Sequence, residues 1–271
     1  MPLTVPRTVP SPAGRPLAGH HAIVTGASRG IGAAIAAELV RLGADVTLIA
    51  RRQEALSEAT RRLSGSESRV RDVVADVTDE NAASRALADA AAALGAPAIL
   101  INNAGGAESA PFARTDPALW RRMIDLNLTS AYLCTRAAAP AMIASGWGRI
   151  VNIASTAGLK GYGYVSAYVA AKHGVVGLTR ALAIEFARSG VTVNAVCPGY
   201  TETPMLEAAI ANIAAKTKRS GDEARANLAA SNPMGRLIAP EEVAAAVGYL
   251  CLPASGSVTG QTLTIDGGET A

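Results

Sequence analysis

Tyr168 is followed four residues later by Lys172, and of the six tyrosines (132, 162, 164, 168, 200 and 249) only this one has a lysine at that distance. Residues i and i+4 share a helix face, so the two side chains can project into one cleft. A free tyrosine titrates at about 10 and needs help to exchange a proton near neutrality, which an adjacent ammonium supplies. Lysine is scarce, occurring only at 160, 172, 216 and 218, so one inside an apolar helix stands out. Taken alone, such a pair is commonly a surface coincidence.

A second chemical signal lies far upstream. Thr25-Gly26-Ala27-Ser28-Arg29-Gly30-Ile31-Gly32 closes the run AIVTG and opens an amphipathic stretch. Glycines at a strand-to-helix turn accept positive φ and let backbone approach a pyrophosphate, while the first helical turn offers unpaired N–H donors and a favourable dipole. The spacing, G-x-x-x-G-x-G, departs from the common G-x-G-x-x-G fingerprint, and a purely structural turn reads the same way.

Both signals need a scaffold, and the rest of the chain supplies one. From His21 onward, short β-branched runs alternate with Ala-rich stretches of helical length: AIVTG, GIGAAIAAELVRLG, DVTLIA, EALSEATRRL, VRDVVADV. The pattern continues with a helix near 81–93, the strand AILINNAG, a long helix over about 117–144, the strand RIVNIAS and a helix over about 166–188. The strand VTVNAVCPG, an irregular helical stretch over about 203–230, a helix over 240–250 and a last strand TLTIDGG complete it. Strands and helices in alternation, without linker or repeat, predict one α/β domain over 19–271. Its fold is doubly wound and Rossmann-like, with a seven-stranded, mostly parallel sheet flanked by helices. The first 18 residues, with five prolines and no apolar period, predict an extended, poorly ordered tail.

Composition narrows the function classes. With 271 residues, 49% hydrophobic and 17% charged, disorder is excluded as the main state. Lys and Arg total 25 against 22 Asp and Glu and are scattered, which makes nucleic acid a weak partner. Cys134, Cys197 and Cys251 have neither disulfide nor metal-ligand spacing, so no metal is expected. No apolar run reaches the roughly 18 to 20 residues of a membrane span and no signal peptide is evident, so the expected location is the cytoplasm.

The glycine spacing, Asn102-Asn103-Ala104-Gly105 after the fourth strand, and Tyr168-x-x-x-Lys172 together resemble the short-chain dehydrogenase/reductase family, single-domain type, over about residues 20–268. The resemblance implies a nicotinamide cofactor and hydride transfer at a carbonyl or alcohol carbon. It implies cofactor contacts from Gly26, Ser28, Arg29, Gly30, Ile31 and Gly32. Further contacts are implied from Asp76 and Val77 on the adenine, although Asp76 reads equally as a helix N-cap. Asn103, Ala104 and Gly105 would pass the adenosine ribose. Pro198, Gly199, Thr201 and Thr203 would border the nicotinamide, with Thr203 the better match for its carboxamide.

Where NAD-specific members place an Asp on the ribose, this chain has Ala50, followed by Arg51. Arg51 and Arg29 can clamp a 2′-phosphate by charge-assisted hydrogen bonds, so NADP(H) is predicted over NAD(H), with a solvated Arg51 as the alternative.

The catalytic residues implied are Asn127, Ser155, Tyr168 and Lys172. Ser155 lies thirteen residues before Tyr168 at the carboxyl end of its strand and would hold the substrate oxygen. Thr156 and Ser166 are rival hydroxyls, the latter read as a helix cap. Lys172 would hold the nicotinamide ribose and lower the Tyr168 pKa, and the Asn127 carbonyl would hold a water linking Lys172 to solvent. His173 is read as facing elsewhere, and His20 and His21 as preamble to the first strand. The substrate pocket would draw on Gly106, Tyr162, Tyr164, Tyr200 and Met205. A long lid over about 202–233 carries Lys216, Lys218, Arg219 and Arg225, read either as a basic cover that steers an anionic carrier or as a solvated helical face.

The stretch KHGVVGLTRALAIEFARSGVTVNAVCPGYTETPM looks like bacterial 3-oxoacyl-thioester reductases and ketoreductases of aromatic polyketide synthesis. The expected activity is NADPH-dependent reduction of a ketone to a secondary alcohol, the substrate being a small-molecule carbonyl, either a 3-oxoacyl thioester carried on CoA or acyl carrier protein or a polyketide ketone. A secondary-alcohol or 3-hydroxyacyl-CoA dehydrogenase is the alternative. A dinucleotide-binding regulator without turnover is a third reading, against which the intact Ser155, Tyr168 and Lys172 argue. The resemblance also implies a homotetramer built on the helices over 117–144 and 166–188.

Overall fold

The computed structural model describes residues 14–217 and 220–271. Among them, seven strands form one sheet: β1 (His21–Thr25), β2 (Asp45–Ala50), β3 (Val70–Val74), β4 (Ile99–Asn102), β5 (Gly148–Ile153), β6 (Val191–Pro198) and β7 (Thr262–Ile265). Their order is β3-β2-β1-β4-β5-β6-β7 and every neighbouring pair is parallel. The doubly wound reading of the sequence therefore holds, and the mostly parallel sheet is wholly parallel. The connectivity reverses between β1 and β4, and the carboxyl ends of strands flanking such a switch point form the usual ligand crevice.

The strands read as continuous apolar runs because both faces of the sheet are covered. On one face, α1 (Gly30–Arg41), α2 (Gln53–Leu63) and α9 (Pro240–Cys251) bury Ile35, Leu39, Leu56, Val243 and Val247. On the other, α3 (Glu80–Leu94), α5 (Ser130–Ser145) and α6 (Ser166–Glu185) bury Leu87, Ala90, Ala138, Met142 and Ala183. The many alanines let these helices lie close to the sheet without loss of helix propensity.

Three elements differ from the sequence reading. Residues 1–13 of the expected tail lie outside the described residues, but Leu17 is fully buried in the core and donates its N–H to the Leu42 carbonyl at 2.9 Å. One apolar side chain closing the core beneath the α1 terminus outweighs the proline-rich composition around it. The long helix expected over 117–144 is instead α4 (Pro117–Ile124) and α5, joined by a π-helical stretch, Asp125–Thr129. The irregular stretch over 203–230 resolves into α7 (Pro204–Lys216) and α8 (Gly221–Ala229), capped by the Thr203 and Ser220 side chains.

His21 begins β1 as a buried residue. Its neutral ring satisfies both neighbours, with Nδ1–H donated to Gly95 O at 2.7 Å and Nε2 accepting from the Thr47 hydroxyl at 2.9 Å. Burial pushes its pKa below 6.5. The neutral form is thus the one that folds, and its stabilisation is present above the unfolded value and lost as pH falls below it. Thermal melts should show Tm falling as pH drops through 6.5. A His21→Gln variant should show a shallower slope, the remainder coming from His20, whose pKa burial also lowers.

Candidate active site

At the carboxyl end of β5 the chain leaves the sheet through Ala154 and Ser155 into one 3-10 turn, Thr156–Gly158. The Ser155 hydroxyl accepts the Ala157 N–H at 3.1 Å, which fixes its direction. Tyr168 and Lys172 stand one turn apart on α6. That helix can approach because residue 158 is glycine: a Cβ there would lie 2.8 Å from the Lys172 carbonyl oxygen. The Ser155 side chain stands close enough to the Tyr168 phenol to lower its pKa. The Lys172 Nζ donates to the Ile153 carbonyl at 2.8 Å and lies 5.7 Å from the centre of the Tyr168 ring. The three residues expected to act together are therefore in one place.

Burial shapes their acidity. It pushes the Tyr168 phenol above its ordinary value, and the polar Ser155 side chain beside it opposes that rise. It also pulls the Lys172 ammonium down to about 8. Lys172 is only 4% exposed and has no ion-pair partner among the described residues.

Asn127 sits in the π-helical stretch, whose irregular backbone is a frequent companion of functional sites. Its side chain donates to Met123 O at 3.0 Å and Gly106 O at 2.9 Å, and accepts the Gly106 N–H at 3.1 Å. This clamp on the loop after β4 had no signal in the sequence. Gly105 brings the same loop to Lys172, since a Cβ there would lie 2.9 Å from Asn127 Oδ1 and 3.6 Å from Lys172 Nζ.

The glycine turn follows β1, with φ of 65° at Gly26 and 57° at Gly30. Gly32 leaves no room at all: a Cβ would stand 2.4 Å from both the Gly26 carbonyl oxygen and Asn103 Nδ2. Asn103 Nδ2 donates to Thr25 O at 2.9 Å and Gly26 O at 3.2 Å. The Thr25 hydroxyl accepts the N–H groups of Asn103 and Ala104, each at 3.0 Å. Thr25 thus staples the two cofactor-side loops together, a role sequence reasoning missed because it depends on a neighbour 78 residues away.

No side chain caps α1 and no acidic residue stands in its first turn, whereas Asp79, Asp116, Thr203 and Ser220 cap α3, α4, α7 and α8. The N–H groups over Gly30, Ile31 and Gly32 are left for an anion, beside a backbone cradle that a Cβ would fill. These residues fit the pyrophosphate of a dinucleotide.

Around that cradle, the Ala27 N–H donates to Ile49 O at 3.3 Å, so Ser28 and Arg29 follow a turn that runs beside the end of β2. Arg29 and Arg51 are both exposed, and Arg51 Nη1 lies 3.9 Å from Asp76 Oδ2. Asp76 accepts the N–H of Thr78 at 3.0 Å and its hydroxyl at 2.8 Å. The cap of α3 is Asp79, which rules out the cap reading of Asp76, and Val77 is buried. Pro198 ends β6, and Gly199 donates its N–H to Ile265 O at 3.1 Å. The Thr201 hydroxyl donates to Gly199 O at 3.0 Å, and that of Thr203 to Thr201 O at 3.2 Å while capping α7. Both are engaged locally.

Of the residues expected to line the substrate pocket, Tyr164 and Met205 are exposed, and Tyr164 O accepts the Ala110 N–H at 2.8 Å. Tyr164 is the non-glycine residue with positive φ, 66°, among the described residues. Tyr162 and Tyr200 pack edge to face with centroids 6.4 Å apart. Arg225 pairs with Glu202 and Glu207, so it is not the free cation a basic lid would need, and Lys218 and Arg219 lie outside the described residues. Ser166 does not cap α6 but is its first residue, with a buried hydroxyl lacking a partner. His173 is exposed, with Nδ1 2.9 Å from Val169 O.

A family model described as short chain dehydrogenase matches residues 20–214. A protein assigned as ketoacyl reductase 1 of the granaticin polyketide synthase of Streptomyces violaceoruber is 42% identical over 261 residues, covering 96% of this chain and 94% of the relative. The cis-4-hydroxycyclohexanecarboxylate dehydrogenase of Sinomonas cyclohexanicum is 42% identical over 259 residues, covering 95% and 99%. Among solved structures, a point variant of the actinorhodin polyketide ketoreductase with NADPH superimposes with a TM-score of 0.89 at 38% identity, covering 92% of this chain and 97% of that one. On sequence and fold together, the chain belongs to the short-chain dehydrogenase/reductase family of nicotinamide-dependent oxidoreductases.

Proposed function

We propose that residues 19–271 act as one catalytic domain that reduces a ketone to a secondary alcohol with NADPH, the ketone being a 3-oxoacyl thioester or a polyketide. The observation that carries the reading is the convergence of Ser155, at the end of β5, with Tyr168 and a buried Lys172 ammonium that has no ion-pair partner among the described residues. The bound nicotinamide supplies hydride to the carbonyl carbon. Ser155 and Tyr168 donate hydrogen bonds to the carbonyl oxygen as negative charge develops there, and Tyr168 delivers its proton to that oxygen. Lys172 lowers the cost of the phenolate left behind and reaches the ribose hydroxyls, and Asn127 holds the π-helical turn and the Gly106 loop in register with it.

The phosphate preference rests on Arg29 and Arg51. Neither is held by a short ion pair, the nearest carboxylate to Arg51 being 3.9 Å away, so both guanidinium groups are available to a 2′-phosphate. Each charge-assisted hydrogen bond is worth about tenfold in affinity. Arg29→Ala and Arg51→Ala should each lower kcat/KM for NADPH by about tenfold while that for NADH changes little. Equal losses with both cofactors, or a wild type that prefers NADH, would remove the assignment.

Similarity to ketoacyl reductases supports the thioester substrate. An equal identity to a hydroxycyclohexanecarboxylate dehydrogenase supports a second reading, a secondary-alcohol dehydrogenase. Steady-state rates on acetoacetyl-CoA, cyclohexanone and cyclohexanol with both cofactors separate the two: turnover of the thioester favours the first, and none on any thioester the second. Exposed Trp120, Tyr132 and Ile184 on α4, α5 and α6 support the expected homotetramer. No helix among the described residues is long and apolar enough to cross a membrane, in keeping with a cytoplasmic enzyme.

A further inference from the structure

The six residues after β7 carry a carboxylate into the wall of the cleft. Asp266 winds this segment, accepting the N–H of Gly268 at 3.0 Å, the N–H of Thr270 at 3.0 Å and the Thr270 hydroxyl at 2.6 Å. The turn aims Glu269 inward, where its side chain is only 3% exposed. The Lys160 Nζ lies 3.0 Å from its Oε1, and the Tyr162 hydroxyl donates to the same oxygen at 2.6 Å. The Tyr162 oxygen in turn accepts from the buried Thr156 hydroxyl at 2.7 Å. Thr156 directly follows Ser155. On its other side the carboxylate abuts the turn after β6, since a Cβ on Gly199 would lie 3.2 Å from Glu269 Oε2.

With its proton given to Glu269 and its lone pair taken by Thr156, the Tyr162 hydroxyl is satisfied on both counts. The ring is held edge to face against Tyr200 at an interplanar angle of 80°, with the Lys160 ammonium 5.1 Å from its centre. A tyrosine tethered to a buried, ion-paired carboxylate loses its rotamer freedom before any ligand arrives, which is the physical content of a pre-organised wall.

We propose that Glu269 is a positioning residue for substrate recognition: through Lys160 and Tyr162 it locks the Tyr162–Tyr200 pair as an aromatic wall that selects cyclic, flat groups on the far side of the carbonyl. The proposal rests on the carbonyl-reducing reading of the site. It assigns the end of the chain to specificity and leaves proton transfer to Tyr168.

The test is a double-mutant cycle on the full-length protein with Glu269→Ala, Tyr162→Phe and the pair. Two readouts are taken: steady-state KM and kcat for 1-tetralone and for ethyl acetoacetate, and calorimetric affinity of each ketone for the protein saturated with NADP+, a complex that needs no turnover. Each single variant should weaken 1-tetralone, in KM and in calorimetric affinity, by about tenfold more than ethyl acetoacetate. The double variant should be no weaker than either single one, because both cut the same tether. Equal weakening of both ketones, additive losses, or a shift confined to kcat would overturn the proposal. If the wild type turns over neither ketone, the reductase reading fails, while the calorimetric cycle still decides the role of Glu269.

Discussion

Tyr168→Phe will lower kcat for ketone reduction by about a thousand-fold while the affinity for NADPH stays within about twofold, because the change removes one O–H and almost no volume. The ring keeps its place on α6, and Lys172 keeps its hydrogen bond to the Ile153 carbonyl at 2.8 Å. What is lost is the proton donor and one of the two hydrogen bonds that stabilise the developing oxyanion, and general acid catalysis alone is worth about two to four orders of magnitude. Steady-state rates, with cofactor binding followed by fluorescence, check the split. Retention of more than about a tenth of wild-type kcat would mean that another group protonates the alkoxide.

Gly32→Ala should do comparable damage on the cofactor side. The added methyl carbon would stand 2.4 Å from the Gly26 carbonyl oxygen and from Asn103 Nδ2. Neither is the end of a flexible side chain: one is backbone, and the other is tied to Thr25 and Gly26. The glycine turn must open to admit the methyl group, which scatters the N–H groups that would hold a pyrophosphate. An increase of about a hundredfold in the dissociation constant for NADPH is expected, equivalent to losing two charge-assisted hydrogen bonds. Gly177→Ala is the matched control, since a Cβ there meets nothing within 4 Å. Its affinity should match the wild type, and wild-type affinity in Gly32→Ala would show that the turn is not the cofactor cradle.

The layout of the sheet was legible because parallel strands covered on both faces read as unbroken apolar runs, and helices between them as Ala-rich stretches. The grouping of Ser155, Tyr168 and Lys172 was legible for a local reason, since an i, i+4 pair on one helix and a serine at a strand end need little else to converge. What depended on distant partners was not. The π-helical turn at Asn127 sits in a stretch whose apolar pattern is that of an ordinary helix, and its side chain acts on Gly106, 21 residues upstream. Leu17 looked like part of a proline-rich tail because its value lies in a pocket under Leu42. Glu269 gave no sign at all, because nothing within the last residues marks a carboxylate as buried against Lys160 and Tyr162, 109 and 107 residues earlier.

Isotope transfer tests whether hydride moves from a nicotinamide to a carbonyl carbon held by Ser155 and Tyr168. The protein is incubated with acetoacetyl-CoA and NADPH carrying deuterium on the transferable position of the nicotinamide ring, and the thioester is analysed by mass spectrometry. The expected product is 3-hydroxybutyryl-CoA with one deuterium on the new carbinol carbon, formed by the wild type and not by Tyr168→Phe. Unchanged acetoacetyl-CoA, or a hydroxy product that carries no deuterium, would contradict this transfer.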